Sequence, residues 1–328
     1  MVSTLLRLCL LLPALMLAGC SEAPESPLGV GANVWPGYEP LYLARERGYL
    51  DRDAIHPVEY LSASQVQRAL ANGAIDVAAL TLDEALRAAT EIPELRVFLV
   101  ADISAGGDAI IARPEVADLA DLAGRRIAVE DTALGAYFLA LALERAGLDP
   151  AEVEQVPLRV NEHEAAFRQG TVDAAVTFEP VRSGLLQAGG HSLFDSRRTP
   201  DRIVDVLVTR ESVLRDRKAA IEGLVAAWFR ARADLLDPDD EAAREFAARR
   251  EGVAPEAIAL ALEGLEFPDR AANRRLLAAP EPTLADSCRQ MADFLVTNDL
   301  LSGETACHRD PAGFLAGEPV STPGEIRP

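Results

Sequence analysis

From Gly29 onward short apolar runs alternate with helical periods, and one block of that alternation is written twice. Ala69-Leu70-Ala71-Asn72-Gly73-Ala74-Ile75-Asp76-Val77-Ala78-Ala79 is paralleled by Ala166-Phe167-Arg168-Gln169-Gly170-Thr171-Val172-Asp173-Ala174-Ala175-Val176, a constant shift of 97 residues from Asp76 to Asp173. In each copy a helical stretch ends at glycine, where positive φ is easily reached, and a short turn feeds an apolar strand. The alternation is that of a parallel α/β fold. The repeat predicts two equivalent lobes.

The pattern reads in order as a strand over Leu28 to Val34, a helix over Leu41 to Tyr49, a strand over Val58 to Leu61 and a helix over Ser64 to Ala71. Val77 to Leu80, a helix near Asp83 to Ala89, and Arg96 to Ala101 follow. Ala109 to Ala112 is expected as a crossover strand, ended by Arg113-Pro114, after which the pattern restarts. It gives a strand over Arg126 to Glu130, a helix over Gly135 to Ala146 and a strand around Val156 to Val160. Ile203 to Val208 is expected to cross back. Helices then dominate, over Arg217 to Leu236, Glu241 to Arg250, Pro255 to Leu265 and Leu284 to Leu295, punctuated by Pro238, Pro268, Pro280 and Pro282. The expected fold is α/β, two lobes joined by two crossover strands with a helical C-terminal part. Residues 29–112 plus 203–314 would form lobe 1, residues 113–202 lobe 2, and 315–328 a flexible tail. Two crossovers make a hinge and leave a cleft between the lobes.

The N-terminal 19 residues have the order of a secretory signal: Arg7, an apolar run from Leu5 to Leu17, then small residues. At about 13 residues the run is shorter than the roughly 20 a membrane span needs. Leu17-Ala18-Gly19-Cys20 resembles a bacterial lipobox, which makes Cys20 the expected lipid attachment site and 20–28 a tether; the alternative is a simple signal with an incidental cysteine. Formal charge is −20, and loss of Arg7 with the leader leaves 31 basic against 52 acidic residues, or −21. So acidic a surface repels phosphate backbones and excludes nucleic acid as a partner. Once Cys9 and Cys20 are set aside, Cys288 and Cys307 either form one disulfide or remain two buried thiols. No zinc-ligand spacing accompanies them, so neither metal nor cofactor is expected.

Three segments carry a resemblance. Asn33-Val34-Trp35-Pro36-Gly37-Tyr38-Glu39-Pro40-Leu41-Tyr42-Leu43-Ala44-Arg45-Glu46-Arg47-Gly48-Tyr49-Leu50, Asp121-Leu122-Ala123-Gly124-Arg125-Arg126-Ile127-Ala128-Val129-Glu130 and Gly170-Thr171-Val172-Asp173-Ala174-Ala175-Val176-Thr177-Phe178-Glu179-Pro180 resemble substrate-binding proteins of the nitrate/sulfonate/taurine transporter family. The similarity runs from Gly29 to about Asn298 and is specific for family but not for ligand. It implies a type II periplasmic binding protein that captures a small solute and delivers it to an inner-membrane ABC permease; the chain is expected to be monomeric, and the lipobox-like ending adds a lipid anchor in the cell envelope. A ligand-sensing subunit for a membrane kinase or cyclase is the rival reading on the same fold.

Ligands of open α/β sheets lie beyond the carboxyl ends of the strands, where helix N-termini offer free N–H groups. The candidate residues there are Trp35, Gly37, Tyr38, Ser62, Thr81, Asp108, Glu130, Tyr137, Asn161, Glu179 and Asp205. Trp35 and Tyr38 form either an aromatic wall or a packed loop. Asp108, Glu130, Asp131, Glu179 and Asp205 make the expected cleft acidic, with no Lys or Arg at those strand ends. Acids with aromatics favour an amine-bearing or cationic solute, whereas the resemblance favours nitrate, sulfonate or a pyrimidine-type precursor. An enzyme is not expected. The single lysine, Lys218, is remote from every strand end, and His56, His163, His191 and His308 are scattered, with His163 the one near the cleft and read as a solvated helix-start residue.

Overall fold

The computed structural model describes residues 26–130, 133–277 and 283–315. The leader, Cys20, the start of the tether, Asp131 and all but the first residue of the tail lie outside the described residues.

Two sheets form the frame. The first contains β1 (Leu28–Asn33), β2 (Ile55–Tyr60), β3 (Val77–Thr81), β4 (Leu95–Ser104), β10 (Val204–Arg210) and the short β11 (Leu265–Glu266), in the order β11-β4-β10-β3-β1-β2. The second contains β5 (Ala109–Ala112), β6 (Arg126–Val129), β7 (Glu154–Pro157), β8 (Ala174–Thr177) and β9 (His191–Asp195), in the order β7-β6-β8-β5-β9. The central strands are buried on both faces, which is why they read as unbroken apolar runs.

Within each sheet one central strand runs antiparallel to both neighbours, β10 between β3 and β4 and β5 between β8 and β9, and the short edge strand β11 is antiparallel to β4. Each of the two central strands is the first after the chain changes lobe. Ala109–Ala112 therefore does not bridge the two sheets, as expected of a crossover strand, but lies inside the second, where all four residues are buried. The crossings themselves are residues 105–108 and 196–203.

The 97-residue shift holds in three dimensions. Gly73 and Gly170 have φ of 74° and 76°. The Asp76 carboxylate accepts from Gly29 N–H at 2.8 Å, and Asp173 accepts from Arg126 N–H at 3.0 Å. Each bond ties the turn after the glycine to a strand of its own lobe, β1 in the first and β6 in the second.

Among the helices, α1 (Glu39–Glu46), α2 (Ala63–Ala71) and α3 (Leu82–Glu91) serve the first sheet, and α4 (Ala133–Ala146), α5 (Val160–Gln169) and α6 (Val181–Gln187) the second. The strand expected around Val156 to Val160 stops at Pro157, and Val160 opens α5 instead. Glu162 sets that start, its carboxylate accepting from Arg159 N–H at 2.9 Å. Beyond β10 lie α7 (Glu211–Asp216), α8 (Lys218–Leu236), α9 (Glu241–Glu251), α10 (Pro255–Glu263), α11 (Arg270–Leu277), α12 (Ala285–Thr297) and two single turns, α13 (Ala306–Arg309) and α14 (Pro311–Phe314). Cys288 on α12 and Cys307 on α13 are bonded, with Cα atoms 5.8 Å apart and both residues buried. Closing a loop of this length stabilises the fold by about 3 kcal/mol. No described helix is long and apolar enough to cross a membrane.

Candidate functional site

A cavity lies between the lobes, lined by residues of both. The end of β1 and the turn after it supply Asn33, Trp35 and Tyr38; the end of β3 and the start of α3 supply Thr81 and Glu84. Asp108 comes from the outward crossing and Asp205 from the start of β10. From the second lobe come Glu130 after β6, Leu134, Gly135 and Phe138 on α4, Val160 and His163 on α5, and Val176, Thr177 and Phe178 around the end of β8. The lobes touch here. Trp35 meets Phe178 edge to face, with ring centroids 5.5 Å apart.

Of the candidates read from sequence, the structure brings Trp35, Tyr38, Thr81, Asp108, Glu130 and Asp205 onto this cavity. Trp35 and Tyr38 are packed and wall-forming at once, 4% and 2% exposed. The Trp35 indole N–H donates to Asp102 at 3.2 Å, and the Tyr38 hydroxyl donates to Asp205. Gly37 does not line the cavity but permits this arrangement, since a Cβ there would sit 1.8 Å from Asp102 Oδ2. Ser62 is buried at the head of α2 with its hydroxyl 2.9 Å from that of Ser64. Tyr137 packs on Phe294, centroids 5.2 Å apart, and Asn161 is exposed on α5. Glu179 pairs with Arg182 at 2.8 Å and lines a separate hollow that also holds Arg197 and Glu263.

Sequence reasoning missed Asn33, Glu84, Phe138, Thr177 and Phe178, and misread His163. Glu84 carried a signal, lying three residues past the cap position Thr81. His163 is fully buried, because α5 begins at Val160 and residues three apart share a helix face. Its Nε2 is 3.1 Å from Leu158 O, and burial pushes its pKa down to about 4.

Three helix N-termini at the cleft are occupied by the chain's own carboxylates. Glu130 accepts from Ser64 N–H at the head of α2 (3.3 Å), Glu84 from Thr81 N–H before α3 (3.1 Å), and Glu179 from Ser183 N–H at the head of α6 (3.2 Å). Helix starts are where an anion would otherwise be held. Meanwhile burial pushes Asp108 up to about 7, and raises Glu84, Asp102 and Asp205 as well, with neighbouring carboxylates adding to each shift. None of the described lining residues is Lys or Arg. No described group of three or more His, Cys, Asp or Glu has the geometry to hold a metal ion.

A family model described as the NMT1-like family matches residues 21–250. The taurine-binding periplasmic protein of Escherichia coli (strain K12) is 31% identical over 137 residues, 42% of this chain and 42% of that protein, so the match spans less than half of the curated relative's length. Among solved structures, the alkanesulfonate-binding protein SsuA from Xanthomonas axonopodis pv. citri, bound to MOPS, has a TM-score of 0.72 at 21% identity, covering 86% of this chain and 96% of that one. The desulfurization enzyme DSZB has a TM-score of 0.61 at 20% identity, covering 89% and 98%. At those identities the two structures speak to the fold, which is the two-lobed type II periplasmic binding protein.

Proposed function

The chain belongs to the NMT1-like family, and from that premise we propose that it is an extracytoplasmic solute-binding protein. It captures a small amine-bearing or cationic solute between its lobes and passes it to an inner-membrane ABC permease. The observation that carries the ligand charge is the filling of three helix N-termini by Glu130, Glu84 and Glu179. One N–H at each of these three helix starts is committed to a carboxylate, while Asp108 and Asp205 line the cavity without a basic partner among the described lining residues. A cation in that space compensates charge that burial otherwise penalises. The competing reading is an anion, favoured by the relatives named for taurine and alkanesulfonate.

Thermal unfolding with a panel of solutes separates the two. Ethylamine or guanidinium at about 100 times its Kd is expected to add roughly 2.7 kcal/mol to the native state. Nitrate and methanesulfonate are expected to leave the melting temperature unchanged. Taurine carries both charges and does not discriminate. Stabilisation by nitrate or methanesulfonate, with the amines inert, overturns the reading.

The proposal includes attachment to the membrane through lipid on Cys20, supported by the Leu17-Ala18-Gly19-Cys20 ending of the leader. Cys20→Ser is expected to leave the protein unprocessed or soluble in the periplasm. Unaltered partition of the processed variant with membranes counts against the anchor.

A further inference from the structure

Resting on the cationic reading above, we propose that the solute is recognised through N–H bonds directed at both lobes, so that the site takes a primary ammonium, an amidinium or a guanidinium and rejects a quaternary ammonium. Five of the residues lining the cavity carry a buried side-chain atom with no hydrogen-bond partner: Thr81 Oγ1 and Glu84 Oε1 from the first lobe, Asp108 Oδ2 from the crossing, and His163 Nδ1 and Thr177 Oγ1 from the second lobe. These residues are 4%, 2%, 3%, 0% and 1% exposed. The role of His163 follows from its other nitrogen. Nε2 lies 3.1 Å from the carbonyl oxygen of Leu158, which can only accept, so the ring proton sits on Nε2 and Nδ1 is left with a bare lone pair.

Three of the five are therefore carboxyl or imidazole atoms with no donor, and the other two, hydroxyls, serve in either role. Buried polar atoms are normally paired, and their concentration on one cavity marks where a ligand's donors go. The aromatic walls, Trp35, Phe138 and Phe178, attract any cation and do not distinguish one class from another. The acceptors do. A quaternary ammonium satisfies charge but surrounds it with methyl groups, leaving every one of the five atoms unpaired. Sites built to hydrogen-bond a substrate group reject the analogue lacking it by factors that reach roughly 10⁴.

The test is calorimetric titration of the full mature protein with two probe pairs, ethanolamine against choline and benzylamine against benzyltrimethylammonium. Each primary amine is expected to bind at least about 100-fold tighter than its trimethylated counterpart. Thr177→Val, close in volume and lacking the hydroxyl, is expected to weaken benzylamine about tenfold while leaving benzyltrimethylammonium unchanged. Equal or tighter binding of the quaternary probes overturns this inference and leaves the cationic reading standing. Failure of all four probes to bind overturns both. Because the probe pairs are compared on the unsubstituted chain, the result does not depend on the variant's folding.

Discussion

The ligand-free protein is expected to become more stable, not less, as pH falls from 8 to about 5. The sign follows from the buried carboxylates. Asp108 titrates near 7 in the folded chain against 3.8 for a free aspartate, so between those values the folded state holds a proton that the unfolded state has lost. Stability then falls as pH rises, by about 1.4 kcal/mol per unit for each such group, until the folded pKa is passed. Glu84, Asp83, Asp102 and Asp205 are raised in the same direction, burial being the largest cause in each. His163 opposes them: lowered to about 4, it costs stability as pH falls through the range where a free histidine protonates. Asp173 and Asp195, held low by Arg126 and Arg197, withdraw their support only below the usual carboxylate range. Several raised acids against one histidine leave a net gain toward pH 5. Melting temperatures of ligand-stripped protein at pH 5, 6.5 and 8 check this; a steady fall from pH 8 to 5 contradicts it.

Asp108→Asn is expected to move stability and binding in opposite directions. The amide keeps the shape of a side chain only 3% exposed and removes the charge that burial penalises, so the melting temperature of the free protein at pH 8 rises. Binding of ethylamine or guanidinium weakens, because a buried cation loses an anionic partner, a change that typically costs about 2–5 kcal/mol. Calorimetry and thermal unfolding on the same preparation measure both. An unchanged affinity for both probes places Asp108 outside the ligand's reach.

The frame was legible because its signal is periodic. Gly73 and Gly170 each need a left-handed backbone and each precede an aspartate that ties a strand, so the repeat carried its own three-dimensional meaning. Ala109–Ala112 was misplaced for the opposite reason. Four apolar residues are equally suited to a link or to a buried strand, and only pairing with β8 and β9 decides. At the site, residues next to strand termini were found, including Trp35 after β1, Asp108 before β5 and Asp205 at the start of β10. Phe138 and His163, one helical turn further on, were not, since their inward aim depends on where α4 and α5 begin. Glu179 satisfied the same positional rule as Asp108, but its charge is taken by Arg182, a contact that spacing alone does not reveal.

The bond from Ser64 N–H to Glu130 joins a helix of one lobe to a carboxylate of the other. In a clamshell receptor the ligand ordinarily supplies such a bridge, and part of its affinity is spent on holding the shells together. Here the chain brings a bridge of its own. A bridge of this kind favours the closed form without a solute, and the fraction closed divides directly into the apparent dissociation constant. A receptor built this way binds small, weakly interacting solutes more tightly than their few contacts would allow, at the expense of contrast between its empty and loaded shapes. Whatever reads that shape at the membrane must then respond to the filled cavity, because closure by itself no longer reports occupancy.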